Sequence, residues 1–227
     1  MYKKKIKLTT LLMALILIIS LAACGPSTTS ETSSEEPADS AQTSEQTDAS
    51  DGASGNVLVV FFSRTGEQYQ VGEIDKGNTA IVAEMIAEET GADTFEVLPQ
   101  EDYYPYTYDE LTEVAKQEQS ENARPAYQEN CPDLSAYDTV FIGAPVWWGD
   151  WPMIMYTFFE NEDLSGKKLI PFSTHEGSGL SGFDSKLSSA CPDSEVLEGL
   201  AIRGSDAQNE QDEVRTTVKE WLSGLGY

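Results

Sequence analysis

Hydrophobic and polar positions in this chain follow two periods that take turns. Val57 to Phe62 is an uninterrupted apolar run, the pattern of a strand covered on both faces, and it stops at Ser63. Asn78-Thr79 can then cap a helix that runs to Thr90 with Val82, Met85 and Ile86 on one face, and Gly91 stops it. Thr94 to Leu98 reads as a second strand, and Thr107 with Glu110 makes a capping box for a helix through about Glu118. A third strand is expected over Thr139 to Gly143, followed by a short apolar helix to Phe159 that Pro152 opens and Asp150 caps. Lys168 to Ser173 is the fourth strand. A glycine-rich loop and a helix over Phe183 to Ala190 separate it from a fifth at Val196 to Ile202. In the last helix Val214, Val218, Trp221, Leu222 and Leu225 share a face, which puts that tryptophan in the core.

Five strands alternating with five helices describe an α/β fold, a doubly wound parallel sheet with helices on both faces. This domain occupies residues 56–227, and no internal repeat divides it. In open sheets of this kind ligands bind outside the carboxyl ends of the strands, where the strand order reverses.

The residues ahead of the domain have another character. Lys3, Lys4, Lys5 and Lys7 precede an uncharged apolar run from Leu8 to Ala23 that meets Cys24, the layout of a secretory signal. Spanning a bilayer takes roughly 20 apolar residues, and this run is shorter. Leu21-Ala22-Ala23-Cys24 resembles the lipobox of bacterial lipoproteins. Residues 1–23 are therefore read as a lipoprotein signal peptide and Cys24 as the acylated residue, with the domain held on the outer face of the cell membrane. From residue 25 to 55 no aromatic or branched aliphatic side chain occurs, so residues 24–55 are expected to be a disordered, acidic, Ser/Thr-rich linker with a reach of roughly 30 Å.

The chain has 227 residues and a formal charge of −25, and from residue 56 onward 10 basic side chains face 32 acidic ones. Such a surface repels phosphate backbones and anionic headgroups, which excludes nucleic-acid binding and leaves the lipid anchor as the one membrane contact. Partners should be basic proteins or small neutral molecules. Cys131 and Cys191, each followed by Pro-Asp, are compatible with a disulfide or with two free thiols, and no metal-ligand spacing is present.

Three loops leave the carboxyl ends of the strands with unusual content. Ser63-Arg64-Thr65-Gly66 and then Gly77-Asn78-Thr79 supply hydroxyls, open amides and a helix start, the parts of a phosphate cradle, though the same residues also cap helices for structural reasons. Pro145-Val146-Trp147-Trp148-Gly149 breaks the ladder and pushes two indoles beyond the sheet, where they can pack on each other or on something flat. Thr174-His175-Glu176-Gly177-Ser178-Gly179 brings backbone amides close to a ligand edge, or is an ordinary flexible loop. Cradle, aromatic wall and amide rim on one sheet edge make a site for a phosphorylated flat ring, and flavin mononucleotide (FMN) fits. His175, the only histidine, is a candidate proton donor or a plain contact residue. Ser178 is no hydrolase nucleophile, because Glu-Gly-Ser-Gly-Leu is not the Gly-x-Ser-x-Gly elbow. The run Tyr103-Tyr104-Pro105-Tyr106-Thr107-Tyr108 is either a wall over the site or a packed surface loop.

VVFFSRTG with GNT, then GAPVWWG, then FSTHEGSG resembles the flavodoxin-like family, and in particular its bacterial lipoprotein members, over residues 57 to 224. The resemblance implies a three-layer sandwich with strand order 2-1-3-4-5 and noncovalent FMN. Ser63, Arg64, Thr65, Gly66, Asn78 and Thr79 would lie at the phosphate. Pro145, Val146, Trp147, Trp148 and Gly149 would face the ring, and Thr174, His175, Gly177, Ser178 and Gly179 would line its far edge. It also implies electron transfer to a redox partner protein or to a small-molecule acceptor such as a quinone. The alternative is a non-redox protein that uses the Trp-lined cleft for another flat or phosphorylated ligand. Gly149 would let its peptide turn a carbonyl toward the ring. The compact Ser/Thr-x-Thr-Gly-x-Thr loop of the family is here opened by eleven residues, Glu67 to Gly77. Both halves are expected to touch the phosphate, the other reading being that the insertion covers the site with Tyr69.

Overall fold

The computed structural model describes residues 56–101 and 103–227. The signal-like segment 1–23, Cys24 and the linker to residue 55 lie outside the described residues. Among those described, no helix is long and apolar enough to cross a membrane.

Strand β1 (Val57–Phe61) runs between β4 (Asp93–Glu96) and β5 (Thr139–Pro145), and all three are parallel. β5 pairs with β6 (Lys168–His175) in a register that runs from Thr139↔Lys168 to Pro145↔Thr174. The outer position holds two short strands, β7 (Glu195–Val196) and β8 (Leu200–Arg203), both parallel to β6. In order of succession this is the expected 2-1-3-4-5, and the order reverses between β1 and β5.

Every residue of β1 is buried, and the pleat sends neighbours to opposite faces. Leu58, Val60 and Phe62 enter one apolar layer with Ile154, Met155 and Phe158 of α3 (Met153–Asn161) and Phe183 and Leu187 of α4 (Phe183–Ala190). Val57, Val59 and Phe61 enter the other, against α1 (Asn78–Thr90) and α6 (Gln211–Leu225). This two-sided burial produces the unbroken apolar run in the sequence. Gly143 in β5 leaves room for the Phe172 ring of β6, since a Cβ there would lie 2.1 Å from it. Trp221 is partly buried against the second layer, with its ring edge-on to Phe141 and its indole N–H donating to the Glu198 carbonyl.

Several elements differ from the pattern-based expectation. The fifth strand is broken between Val196 and Leu200 because Pro171, opposite the gap in β6, has no N–H to give the ladder, and Gly199 packs against its carbonyl. Asp150 does not cap α3. The cap position is Pro152, while the Asp150 carboxylate accepts from Trp151 N and the Tyr156 hydroxyl at 2.8 and 2.9 Å. Helix α2 extends over Tyr108–Glu121, and its first amide is taken by the carboxylate of Glu67, 41 residues earlier. The insertion is a β-hairpin, β2 (Gly66–Gln68) with β3 (Gly72–Ile74), docked on the 106–108 segment. A further short helix, α5 (Gly204–Asn209), follows β8. Cys131 and Cys191 are both free thiols in the α3/α4 layer, and burial pushes them up to about 12 and about 11, so neither is a thiolate at neutral pH.

Candidate functional site

A cavity of about 520 Å³ opens at the carboxyl ends of β5 and β6, beside the point where the strand order reverses. Its volume is in the range of small-molecule sites, roughly 300–1,000 Å³.

Two of the three loops meet there. Trp147 and Asp150 exchange both backbone hydrogen bonds, at 2.9 and 3.0 Å, closing a tight turn with Trp148 at φ 50° and Gly149 at φ 74°. Positive φ suits glycine but is a disfavoured place for an aromatic residue. The turn separates the two indoles. Trp147 is half-buried, edge-on to Phe62 and Tyr104. Trp148 stands 52% exposed, its indole N–H donating to Thr112 O of α2 at 2.9 Å and its ring under the Lys116 ammonium. Pro145, Val146 and Gly149 complete this side of the cavity. The Gly149 carbonyl is engaged, accepting from Lys186 Nζ at 2.5 Å.

The third loop supplies Thr174, His175, Glu176 and Ser178 to the cavity. Gly177 and Gly179 shape the turn at positive φ. The Gly177 amide donates to His175 Nδ1 at 2.9 Å, which leaves Nε2 as the protonated nitrogen of the neutral ring. Burial lowers the His175 pKa and Arg203 adds to this, against the pull of Glu176 and Asp206, so the ring is a neutral Nε2–H donor at pH 7. Glu176 turns away to hold the start of α5 through Ser205 N at 2.6 Å.

The first loop is divided. Of its residues Asn78 lines the cavity, and its side-chain oxygen accepts from Gln208 of α5. Thr79 is buried and shares a 2.8 Å hydrogen bond with Thr174, so its hydroxyl ties α1 to β6. Ser63, Arg64 and Thr65 line a neighbouring cleft of about 720 Å³ with Tyr103, Tyr104 and Tyr106. There Ser63 Oγ accepts from Ala80 N at 3.0 Å and caps α1 from outside the helix. Arg64 donates to the carbonyls of Glu67 and Pro105. Gly66 opens the hairpin at φ 88° and lines neither space.

The roof of the cavity follows the second reading of the insertion, in which Tyr69 covers the site. Tyr69 at the hairpin tip stacks on Tyr108, with centroids 5.5 Å apart, and Gln68, Leu111, Thr112 and Ala115 join them. The aromatic run is thus split, with Tyr108 on the cavity and Tyr103, Tyr104 and Tyr106 on the cleft. In the sequence the signals for it are the insertion that carries Tyr69 and the aromatic run that ends at Tyr108.

One turn beyond Ala115 on the same face of α2 lies Glu118, 3% exposed. Its Oε1 has no partner among the described residues, and Oε2 takes a long 3.4 Å bond from Tyr104. Burial pushes its pKa up to about 6. A carboxyl raised in the folded state is not penalised below its unfolded pKa, and the penalty grows as pH rises through about 6. Relative to Glu118→Gln, the wild type should therefore lose about 1 to 2 kcal/mol between pH 4.5 and 7.5 in urea denaturation. Parallel curves for the two proteins would contradict this.

Compared with known proteins, residues 57–223 match the sequence model of the flavodoxin family. No curated protein matches. Among solved structures, a candidate flavoprotein from Bacteroides uniformis is 30% identical, with a TM-score of 0.60 over 74% of this chain and 98% of that one. A second, from Bacteroides eggerthii, is 27% identical, with a TM-score of 0.61 over 76% and 99%. A flavoprotein from Lactobacillus acidophilus, solved in complex with FMN, is 20% identical with a TM-score of 0.54 over 69% and 97%, a likeness of fold alone.

Proposed function

The chain belongs to the flavodoxin family, and from that premise we propose that it is an FMN-dependent redox protein, tethered by Cys24 to the outer face of the cell membrane. The observation that carries this reading is the convergence, around one cavity at the strand-order reversal, of the α1 start, the Trp147–Asp150 turn and the His175 loop.

The donor set suits the group. At the start of α1 the amides of Asn78 and Thr79 have no intrahelical acceptor, and the Asn78 carboxamide adds a side-chain donor. A phosphate is stabilised at such a helix end by open N–H groups and by the dipole. Ser63 serves this site through α1, whose third amide it occupies. Trp147 and Trp148 offer apolar surface to a flat ring, and His175 holds a proton at Nε2 for an acceptor on its edge. The Tyr69–Tyr108 roof and Leu111 exclude water and leave an apolar approach for a small acceptor such as a quinone. When bound, FMN supplies one- and two-electron chemistry, which the surrounding residues tune. The 32 acidic side chains of the domain disfavour further negative charge, so a potential below that of free FMN is expected. They also favour a basic redox partner over nucleic acid.

The full chain purified in mild detergent should be yellow, or quench FMN fluorescence stoichiometrically on addition, and a redox titration should give a potential below that of the free cofactor. A colourless protein that leaves FMN fluorescence unchanged would overturn the reading and favour a non-redox site for another flat ligand.

A further inference from the structure

Among the described residues, Lys186 is a cation that bonds to two of the three site loops. It lies in α4, and its ammonium has three N–H donors and three acceptors. These are the Gly149 carbonyl at 2.5 Å, the Ser181 carbonyl at 2.9 Å and the Asp150 carboxylate at 3.3 Å. Gly149 and Asp150 belong to the turn that presents Trp148 to the cavity, and Ser181 closes the glycine-rich loop that presents His175 and Ser178. The same Oδ1 of Asp150 also accepts from Trp151 N and the Tyr156 hydroxyl, so the lysine pulls on a fixed anchor.

The peptide between Gly149 and Asp150 is consequently held at both ends. Its carbonyl is taken by Lys186 and its N–H donates to Trp147 O at 3.0 Å. It cannot turn over without breaking two hydrogen bonds, one of them charge-assisted. The turn includes a non-glycine residue at positive φ, and such a conformation persists only where its surroundings over-determine it. Asp150 and Trp147 bond each other within the turn, α2 holds Trp148 through Thr112 O and Gln119 Nε2, and Lys186 is the contact that ties the Gly149 carbonyl to α4.

We infer that Lys186 is a positioning residue that staples the Trp147–Asp150 turn to the 176–182 loop and so pre-forms the ring-binding side of the cavity. It touches no ligand itself and does not line the cavity. Its influence on FMN rests on the function proposed above, whereas its hold on the turn does not.

The test separates the two. In the cofactor-free full chain, Lys186→Met should leave circular dichroism and thermal midpoint near those of the wild type, since the side chain is partly exposed and surface ion pairs contribute little. The amides of Trp147 and Asp150 should nevertheless exchange with solvent at least tenfold faster, and Lys186→Arg, which keeps a cationic donor fork, should recover most of the protection. Unchanged exchange at these amides in a folded Met variant would overturn the inference. In the loaded protein, Met should weaken FMN about tenfold or more and shift its midpoint potential, with Arg again close to wild type. Faster exchange with unaltered affinity and potential would overturn the positioning role. A wild type that takes up no FMN would remove the proposed function, and the exchange experiment would then decide the part played by Lys186.

Discussion

Trp151→Ala should cost about 3 to 5 kcal/mol of folding stability, the largest loss expected from any single truncation near the site. The side chain is 1% exposed, stacks on Phe183 with centroids 3.6 Å apart and meets Phe159 edge-on. Its removal forfeits the buried area and leaves a void between α3 and α4 that neither helix can close without moving the other. The indole N–H also donates to the Phe183 carbonyl at 3.3 Å, a bond that alanine loses. Domains of this size are stable by about 5 to 15 kcal/mol, so the loss is a large fraction of the whole. Urea denaturation would show the midpoint falling with an unchanged slope. Trp151→Phe, which keeps the stack and loses the donor, should give back more than half. A loss under about 1 kcal/mol for alanine would mean that the site collapses freely and that the packing described for α3 and α4 is wrong.

This tryptophan also marks the limit of what the sequence could disclose. Trp147, Trp148 and Trp151 stand close together in a segment rich in glycine and proline, and composition alone treats them as one aromatic surface. The tight turn sends them three ways: one half-buried against Phe62, one exposed beside α2, one into the core. Which indole goes where depends on a turn in which Trp148 itself adopts positive φ, and no residue preference predicts that. The strands, by contrast, were legible, because β1, β5 and β6 are covered on both faces and must be written as apolar runs. The fifth strand escaped in part. Pro171 is plain in the sequence, but that its missing N–H faces Val196 to Leu200 is a fact of pairing and not of local pattern.

The site followed the same division. Loops that glycine and hydroxyl residues mark as unusual do leave the correct strand ends, and Asn78, Trp148 and His175 converge as expected. Side-chain roles set by distant contacts were not readable. Thr79 looks like a phosphate ligand until Thr174, 95 residues away, takes its hydroxyl into the interior. The Tyr69–Tyr108 roof requires the hairpin to reach back over α2, which Glu67 achieves by capping that helix. Lys186 is one of few cations in an acidic domain, and nothing local points it at Gly149.

Gly77→Ala tests how the α1 start is built. Gly77 sits at φ −66° and ψ 146°, a conformation any residue accepts, so the need for glycine there is purely steric. An added Cβ would lie 2.1 Å from Ser63 Oγ, 2.6 Å from Arg64 O and 2.9 Å from Arg64 N. The Ser63 hydroxyl could rotate away only by abandoning the Ala80 amide it caps, and the Arg64 backbone cannot rotate at all. The loop after β1 must therefore move off the helix, at a cost of about 1 to 3 kcal/mol typical of overpacking. Because the amides of Asn78 and Thr79 are aimed by this contact, phosphate binding should suffer more than ring binding. FMN affinity is expected to fall about 100-fold, near 2.7 kcal/mol, while riboflavin, which lacks the phosphate, should lose about tenfold or less. Fluorescence-quenching titrations of both ligands give the ratio directly. Adding Ser63→Ala removes the nearest obstacle but not the Arg64 backbone, so the double variant should recover only part of the loss. Equal losses for FMN and riboflavin would show that the phosphate is not held at the start of α1.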